Sequence, residues 1–116
     1  MARLRRAILL PPAFLVLLAL AACGGTALEE VEPEVGVTEV DVDDNTFGPR
    51  VIQVPPGTEV TWTWSGSDRH NVVGEGFKSE LVRDGTFSHT FDQPGWYRYL
   101  CTLHAGMNGA VSVVAE

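Results

Sequence analysis

Three residues able to bind a soft metal recur at every third position in the run Tyr99-Leu100-Cys101-Thr102-Leu103-His104-Ala105-Gly106-Met107. They are Cys101, His104 and Met107. A thiolate, an imidazole and a thioether are soft or borderline donors. Together they suit copper, and they suit magnesium or calcium poorly, because those ions take oxygen. One short loop does not easily surround an ion, so a second imidazole is expected from elsewhere in the chain. The candidates are His70 and His89. His70 follows a strand-like segment and a polar loop, at a natural site edge. His89 falls in the middle of the alternating row Phe87-His89-Phe91, where a structural role is expected. His70 is therefore the predicted partner.

Other chemistries fit less well. A Cys–His pair serves as a nucleophile dyad only with an oxyanion donor and an acid/base partner, and neither stands out. A zinc site would use Cys101 and two histidines, but Met is a poor zinc ligand. There is no glycine-rich phosphate loop, and the carboxylates scatter over turns and an N-terminal acidic stretch.

The elements that must position these residues read as β-strands. Residues 37–42 and 59–64 alternate apolar and polar side chains, the pattern of half-buried strands. Val60, Trp62 and Trp64 share one face of the second. Further strands are predicted at 50–54, 86–91, 96–101 and 109–114, separated by turn signals such as Pro55-Pro56-Gly57, Asp84-Gly85 and Gln93-Pro94-Gly95. Residues 77–81 are ambiguous. No segment after the N-terminal apolar run keeps a helical period. The expected fold is all-β, a sandwich or barrel of short strands. Within 96–101, Tyr97, Tyr99 and Cys101 share one face and Trp96, Arg98 and Leu100 the other. Arg98 marks the second face as wet, so Cys101 is expected to point inward at a strand end.

Residues 1–22 read as an export signal: Arg3, Arg5 and Arg6, then an apolar run broken by Pro11 and Pro12. It ends in Leu20-Ala21-Ala22-Cys23, which resembles a bacterial lipobox. Cys23 is then expected to carry lipid at the mature N-terminus, anchoring the chain to the outer face of the cell membrane, on the periplasmic or extracytoplasmic side. Residues 23–36 read as a flexible acidic tether with Glu29, Glu30, Glu32 and Glu34, part of which could instead pair as an edge strand. Residues 37–116 are expected to form the folded domain.

The sequence carries 8 basic and 15 acidic residues, a net charge of −7. Three of the basic residues lie in the signal. From Cys23 onward five basic residues face fifteen acidic ones, a net charge of −10. Such a domain is unsuited to nucleic acid, whose phosphates would repel it, and better suited to a protein with a basic patch. With Cys23 lipidated, Cys101 is the one thiol left, with no disulfide partner in an oxidising compartment. Metal ligation is one way to occupy it.

The run 94–111 resembles the C-terminal copper loop of the cupredoxins, the plastocyanin and amicyanin family. The two-residue spacings from Cys101 to His104 and from His104 to Met107 are similar to those of amicyanin. The stretch Val54-Pro55-Pro56-Gly57-Thr58-Glu59-Val60-Thr61-Trp62, followed by His70-Asn71-Val72, also resembles the family. The resemblance implies a Greek-key β-sandwich of about eight strands holding one mononuclear copper ion near one end. His70, Cys101 and His104 would be the strong ligands and Met107 the weak axial one. Asn71 would tie the two ligand-bearing loops together, and Tyr97 would brace the corner before the copper strand. Leu103 departs from the family, which usually has Pro there. Leu100 is not the surface Tyr that plastocyanin uses for a remote partner.

The function so implied is a single-electron shuttle, not an enzyme. Its redox partners would dock through a basic or apolar patch near His104, against Leu103, Ala105 and Met107. The alternative is a copper-handling lipoprotein that stores or delivers the ion through the same residues. A metal-free interaction domain is a third reading.

Overall fold

The computed structural model describes residues 27–116; the signal 1–22 and Cys23 lie outside these. The described chain is all-β apart from one 3-10 turn, Leu28–Glu30. Ten strands follow in order: β1 Glu34–Val35, β2 Glu39–Asp43, β3 Thr46–Gly48, β4 Val51–Val54, β5 Thr58–Trp64, β6 Val73–Gly74, β7 Phe77–Lys78, β8 Thr86–Phe91, β9 Gly95–Leu100 and β10 Asn108–Val113. The count exceeds the expected eight because it includes very short pieces: β1, β6 and β7 have two residues each. Two residues carry too little alternation to be read from sequence.

The strands make two sheets. One has six strands in the order β1-β4-β10-β9-β6-β7, the other four in the order β3-β2-β5-β8. The chain crosses between sheets repeatedly, so β2 pairs with β5 and β4 with β10 in parallel. The core lies between the sheets, because alternation points every second side chain inward. In β5 the pattern places Val60, Trp62 and Trp64 inside, against Val40, Val42, Phe77, Phe91, Tyr99 and Val111. Trp62 stands at the centre of an aromatic cluster, edge-on to Tyr99 at 5.3 Å between centroids and stacked on Phe77 at 5.8 Å. In β9 Tyr99 is buried and Arg98 exposed, as parity predicts. Tyr97 braces the preceding corner by donating its hydroxyl to the Gln93 carbonyl at 2.7 Å.

Close approach explains one glycine. A Cβ at Gly109 would meet the Tyr99 side chain and, at 2.8 Å, the backbone carbonyl of Arg50. Any larger residue there would push β10 away from both neighbours.

The stretch 28–35, read from sequence as flexible tether, packs onto the domain instead. Leu28 is buried against Val51 and Ala110 with Val31 packed beside them, Glu29 pairs with Arg98, and β1 runs parallel to β4 as an edge strand. The acidic residues point outward while Leu28 and Val31 supply the apolar contacts that composition alone conceals. Packed structure therefore begins near residue 28, ahead of the expected boundary at 37.

Candidate metal centre

Three of the predicted donors, His70, Cys101 and His104, come together in the described structure. β9 ends at Leu100 and delivers Cys101 from the six-stranded sheet. β5 ends at Trp64 and, through the loop 65–69, delivers His70 from the other sheet. His70 is held by its backbone on both sides: its N–H donates to the Val82 carbonyl at 2.9 Å, and its carbonyl accepts from Val82 N–H at 3.1 Å. The same carbonyl accepts the indole N–H of Trp64 at 3.1 Å. The polar loop is thus tied back to the core strand that precedes it.

The loop between Cys101 and Met107 closes on itself. Cys101 N–H donates to the Met107 carbonyl at 3.0 Å, and Met107 N–H to the His104 carbonyl at 3.2 Å. Gly106 has φ +79°, in the left-handed region that a side chain rarely adopts, and this turns the chain back into β10.

His70, Cys101 and His104 present ring nitrogens and Sγ that all lie within 4.8 Å of one another. Cys101 Sγ and His70 Nδ1 are 3.8 Å apart. Two donors bound at roughly 2.3 Å (sulfur) and 2.0 Å (nitrogen) to one trigonal ion would stand about 3.7 Å apart. The rings of His70 and His104 are 4.6 Å apart between centroids. His104 Nε2 is buried and has no hydrogen-bond partner among the described residues. An enclosed, unpartnered nitrogen is costly unless something satisfies it, and a metal would. Exposure is 0% at His70, 4% at Cys101 and 2% at Met107, so the pocket is dry. Met107 sits beneath the surface and takes no part in an exposed apolar ring around His104. The donor set fits a soft or borderline metal.

His89 stays apart from this group. It is stacked on Phe77 at 4.9 Å and edge-on to Phe91 at 4.8 Å, as a half-buried packing residue of β8.

Asn71 bridges the two loops. Its Nδ2 donates to Thr102 Oγ1 at 2.9 Å, and its Oδ1 accepts Thr102 N–H at 2.8 Å. The bridge runs to the residue after Cys101. Asn71→Ala should leave the Thr102 N–H without its acceptor and cost about 1–3 kcal/mol of stability in the copper-free protein. Denaturant unfolding at neutral pH would read this as a lower midpoint with an unchanged slope.

One participant was missed from the sequence. Asp44, in the turn between β2 and β3, accepts a hydrogen bond from His70 Nε2 at 2.9 Å. Its carboxylate also accepts Ser67 N–H and Asp68 N–H, each at 3.0 Å, so it pins the 65–69 loop. At Gly66 the room for a Cβ is taken by this carboxylate. The only signal was the acidic turn Asp43-Asp44-Asn45, and nothing in spacing links it to a histidine 26 residues away. The His70 hydrogen bond, followed by the two backbone N–H groups, holds the Asp44 carboxyl down at about 2 against an ordinary 3.8. A depressed folded-state value adds stability that is present above the ordinary value and lost as pH falls through the folded one. The copper-free protein should therefore lose thermal stability between about pH 4 and pH 2, and Asp44→Asn should flatten part of that slope in melts followed by circular dichroism.

The family described as "Copper binding proteins, plastocyanin/azurin family" matches residues 34–114. Halocyanin of Natronomonas pharaonis is 40% identical over 100 residues, covering 72% of this chain and 61% of its own length. Amicyanin-alpha of Methylorubrum extorquens is 35% identical over 117 residues, covering 93% of this chain and 98% of the relative. Among solved structures, a reduced Cu(I) form of an amicyanin variant superposes with a TM-score of 0.62 at 30% identity, over 77% of this chain and 90% of that one. A purple cupredoxin from Nitrosopumilus maritimus superposes with 0.64 at 25% identity, over 67% of this chain and 100% of that one. The family binds one copper ion, and His70, Cys101 and His104 are residues that could hold it. With its two-sheet fold, its buried thiol between two imidazoles and this match across nearly the whole described domain, the chain belongs to the plastocyanin/azurin family of copper-binding proteins.

Proposed function

We propose that the chain is a membrane-tethered electron carrier, not an enzyme. His70, Cys101 and His104 would hold copper as the strong ligands and Met107 as the weak axial one, with Asn71 fixing the gap between the loops. The observation that carries the reading is the buried Cys101 Sγ 3.8 Å from His70 Nδ1, with the His104 ring beside them. Bound copper supplies one-electron chemistry between its two oxidation states.

The protein's part is to keep one geometry for both states. Cys101 directly follows β9, His70 lies beyond β5 and the 65–69 loop in a bridge to Val82, and the hydrogen bonds of Asn71, Trp64 and Val82 fix their loops. Little then moves when charge changes, and the burial of the donors excludes water. Half-buried His104 has an exposed apolar rim in its chain neighbours Leu103, at 50%, and Ala105. Such a rim suits brief docking of a redox partner. The acidic domain favours a partner with a basic patch. The match to the plastocyanin/azurin family supports the same reading. Lipid on Cys23 would keep the domain at the extracytoplasmic face of the membrane.

The test separates carriage of electrons from carriage of copper. Copper(II) added to the full chain should give an intense blue colour. Electron exchange between reduced and oxidised protein should be fast, and copper transfer to a competing apo-protein slow. Rapid copper release with slow electron exchange would assign the chain to copper storage or delivery instead.

A further inference from the structure

We propose that Asp44 is a positioning and tuning residue of the metal centre: through His70 Nε2 it fixes the imidazole tautomer that offers Nδ1 to the metal and lowers the reduction potential of the site. This rests on the copper-carrier reading above.

The geometry leaves little choice of tautomer. The two nitrogens of His70 face different groups: Nδ1 faces Cys101 Sγ at 3.8 Å and Nε2 faces Asp44 Oδ1 at 2.9 Å. A carboxylate only accepts, so the proton belongs on Nε2. Nδ1 then keeps its lone pair toward the thiol, as a ligand must. Carboxylate, histidine and metal in line fix ring orientation and raise ligand basicity. The carboxylate is itself held: Ser67 N–H and Asp68 N–H bind it, each at 3.0 Å. It cannot swing away from the ring without breaking these bonds. Hydrogen bonds donated to a carboxylate favour its charged form, so Asp44 carries its charge at neutral pH.

The charge acts on one oxidation state more than the other. Oxidation adds one positive charge on the far side of the His70 ring. A fixed negative charge hydrogen-bonded to that ring stabilises the oxidised form more, so the potential falls. The Asp44 side chain is 35% exposed, so water screens part of its field. The expected effect is therefore about a tenfold preference, the lower end of the range seen when such an outer partner is removed.

The experiment uses the full chain loaded with copper, with Asp44→Asn, Asp44→Ala and the neighbouring Asp43→Asn. Asparagine keeps an acceptor oxygen for Nε2 and the backbone donors but removes the charge. Voltammetry should find the potential of Asp44→Asn raised by about 59 mV, the one-electron equivalent of a tenfold loss of copper(II) preference. Asp43→Asn removes the same charge one residue away, with no contact to His70, and should stay near the parent value. Asp44→Ala also frees the ring, so nitrogen NMR of the copper-free protein should find both His70 tautomers populated instead of one. Equal potentials for the parent and Asp44→Asn, or equal shifts for Asp44→Asn and Asp43→Asn, would overturn the proposal and leave Asp44 as a pin for the 65–69 loop. Should Asp44→Ala not fold, Asp44→Asn alone decides. A parent protein that takes up no copper colour would overturn the carrier reading instead, an outcome distinct from both.

Discussion

Cys101→Ser should remove the intense visible colour of the copper-loaded protein completely while leaving the fold in place. The colour of such a site arises from charge transfer out of a thiolate into copper(II), and Cys101 is the one cysteine among the described residues. A serine hydroxyl is a hard, neutral donor at neutral pH and supplies no equivalent transition. Copper(II) affinity should fall by more than the roughly 10–100-fold seen when an outer partner of a ligand is lost, because here a charged ligand itself is removed. Stability of the copper-free protein should change little. Sulfur and oxygen differ modestly in size, Cys101 lies at the rim of the core, and the new hydroxyl can turn toward His70 Nδ1, so the cost is about 1 kcal/mol. Absorption spectra, copper competition and thermal melts of the two copper-free proteins check the three parts separately. A blue copper complex of Cys101→Ser would remove the thiol from the centre and, with it, the reading of His70 and His104 as its companions.

The ligand candidates were legible because their chemistry is concentrated in unusual residue types. A thiol, an imidazole and a thioether three residues apart stand out in a sequence with only 2 Cys, 2 Met and 3 His. The β character and the inward face of β5 and β9 were legible for a different reason. Alternation over six or seven residues is a strong signal, and it placed Trp62, Tyr99 and Cys101 on the buried side. The two-residue strands were not legible, since pairing with an existing edge decides them more than their own pattern. Leu28 and Val31 were hidden by the glutamates around them. In that stretch a few apolar contacts and the Glu29–Arg98 pair outweigh an acidic composition. Asp44 was the largest omission. Aspartate in a turn is ordinary. Only the three-dimensional crossing of the β2–β3 turn with the 65–69 loop gives it His70 as a partner.

The other large effect is expected far from the metal. Trp62→Ala should bring the copper-free domain to the edge of unfolding. Trp62 is fully buried in the middle of β5, with β2 on one side and β8 on the other. It touches the rings of Phe77, Phe87, Phe91 and Tyr99, at centroid distances of 5.3–6.3 Å. Truncating a buried tryptophan costs about 3–5 kcal/mol. Small domains have total stabilities of about 5–15 kcal/mol, and one with about 90 folded residues falls toward the lower end. At about 4–8 °C per kcal/mol for a domain of this size, the melting temperature should fall by about 12 °C at the least. Trp62→Phe separates volume from polarity. Phenylalanine gives up the indole N–H beside Tyr99 and some volume, but keeps a ring in the cluster. Its cost should be well under half that of alanine. Loading with copper should then restore part of the alanine variant's stability, because a ligand bound only by the native state adds RT ln(1 + [L]/Kd). That recovery depends on the core reaching the centre through β5, whose last residue, Trp64, holds the His70 carbonyl. Calorimetric melts with and without copper would read both quantities. A Trp62→Ala variant that melts near the parent would mean that the two sheets pack without this cluster, and that the strand delivering His70 is anchored by its edges instead of its centre.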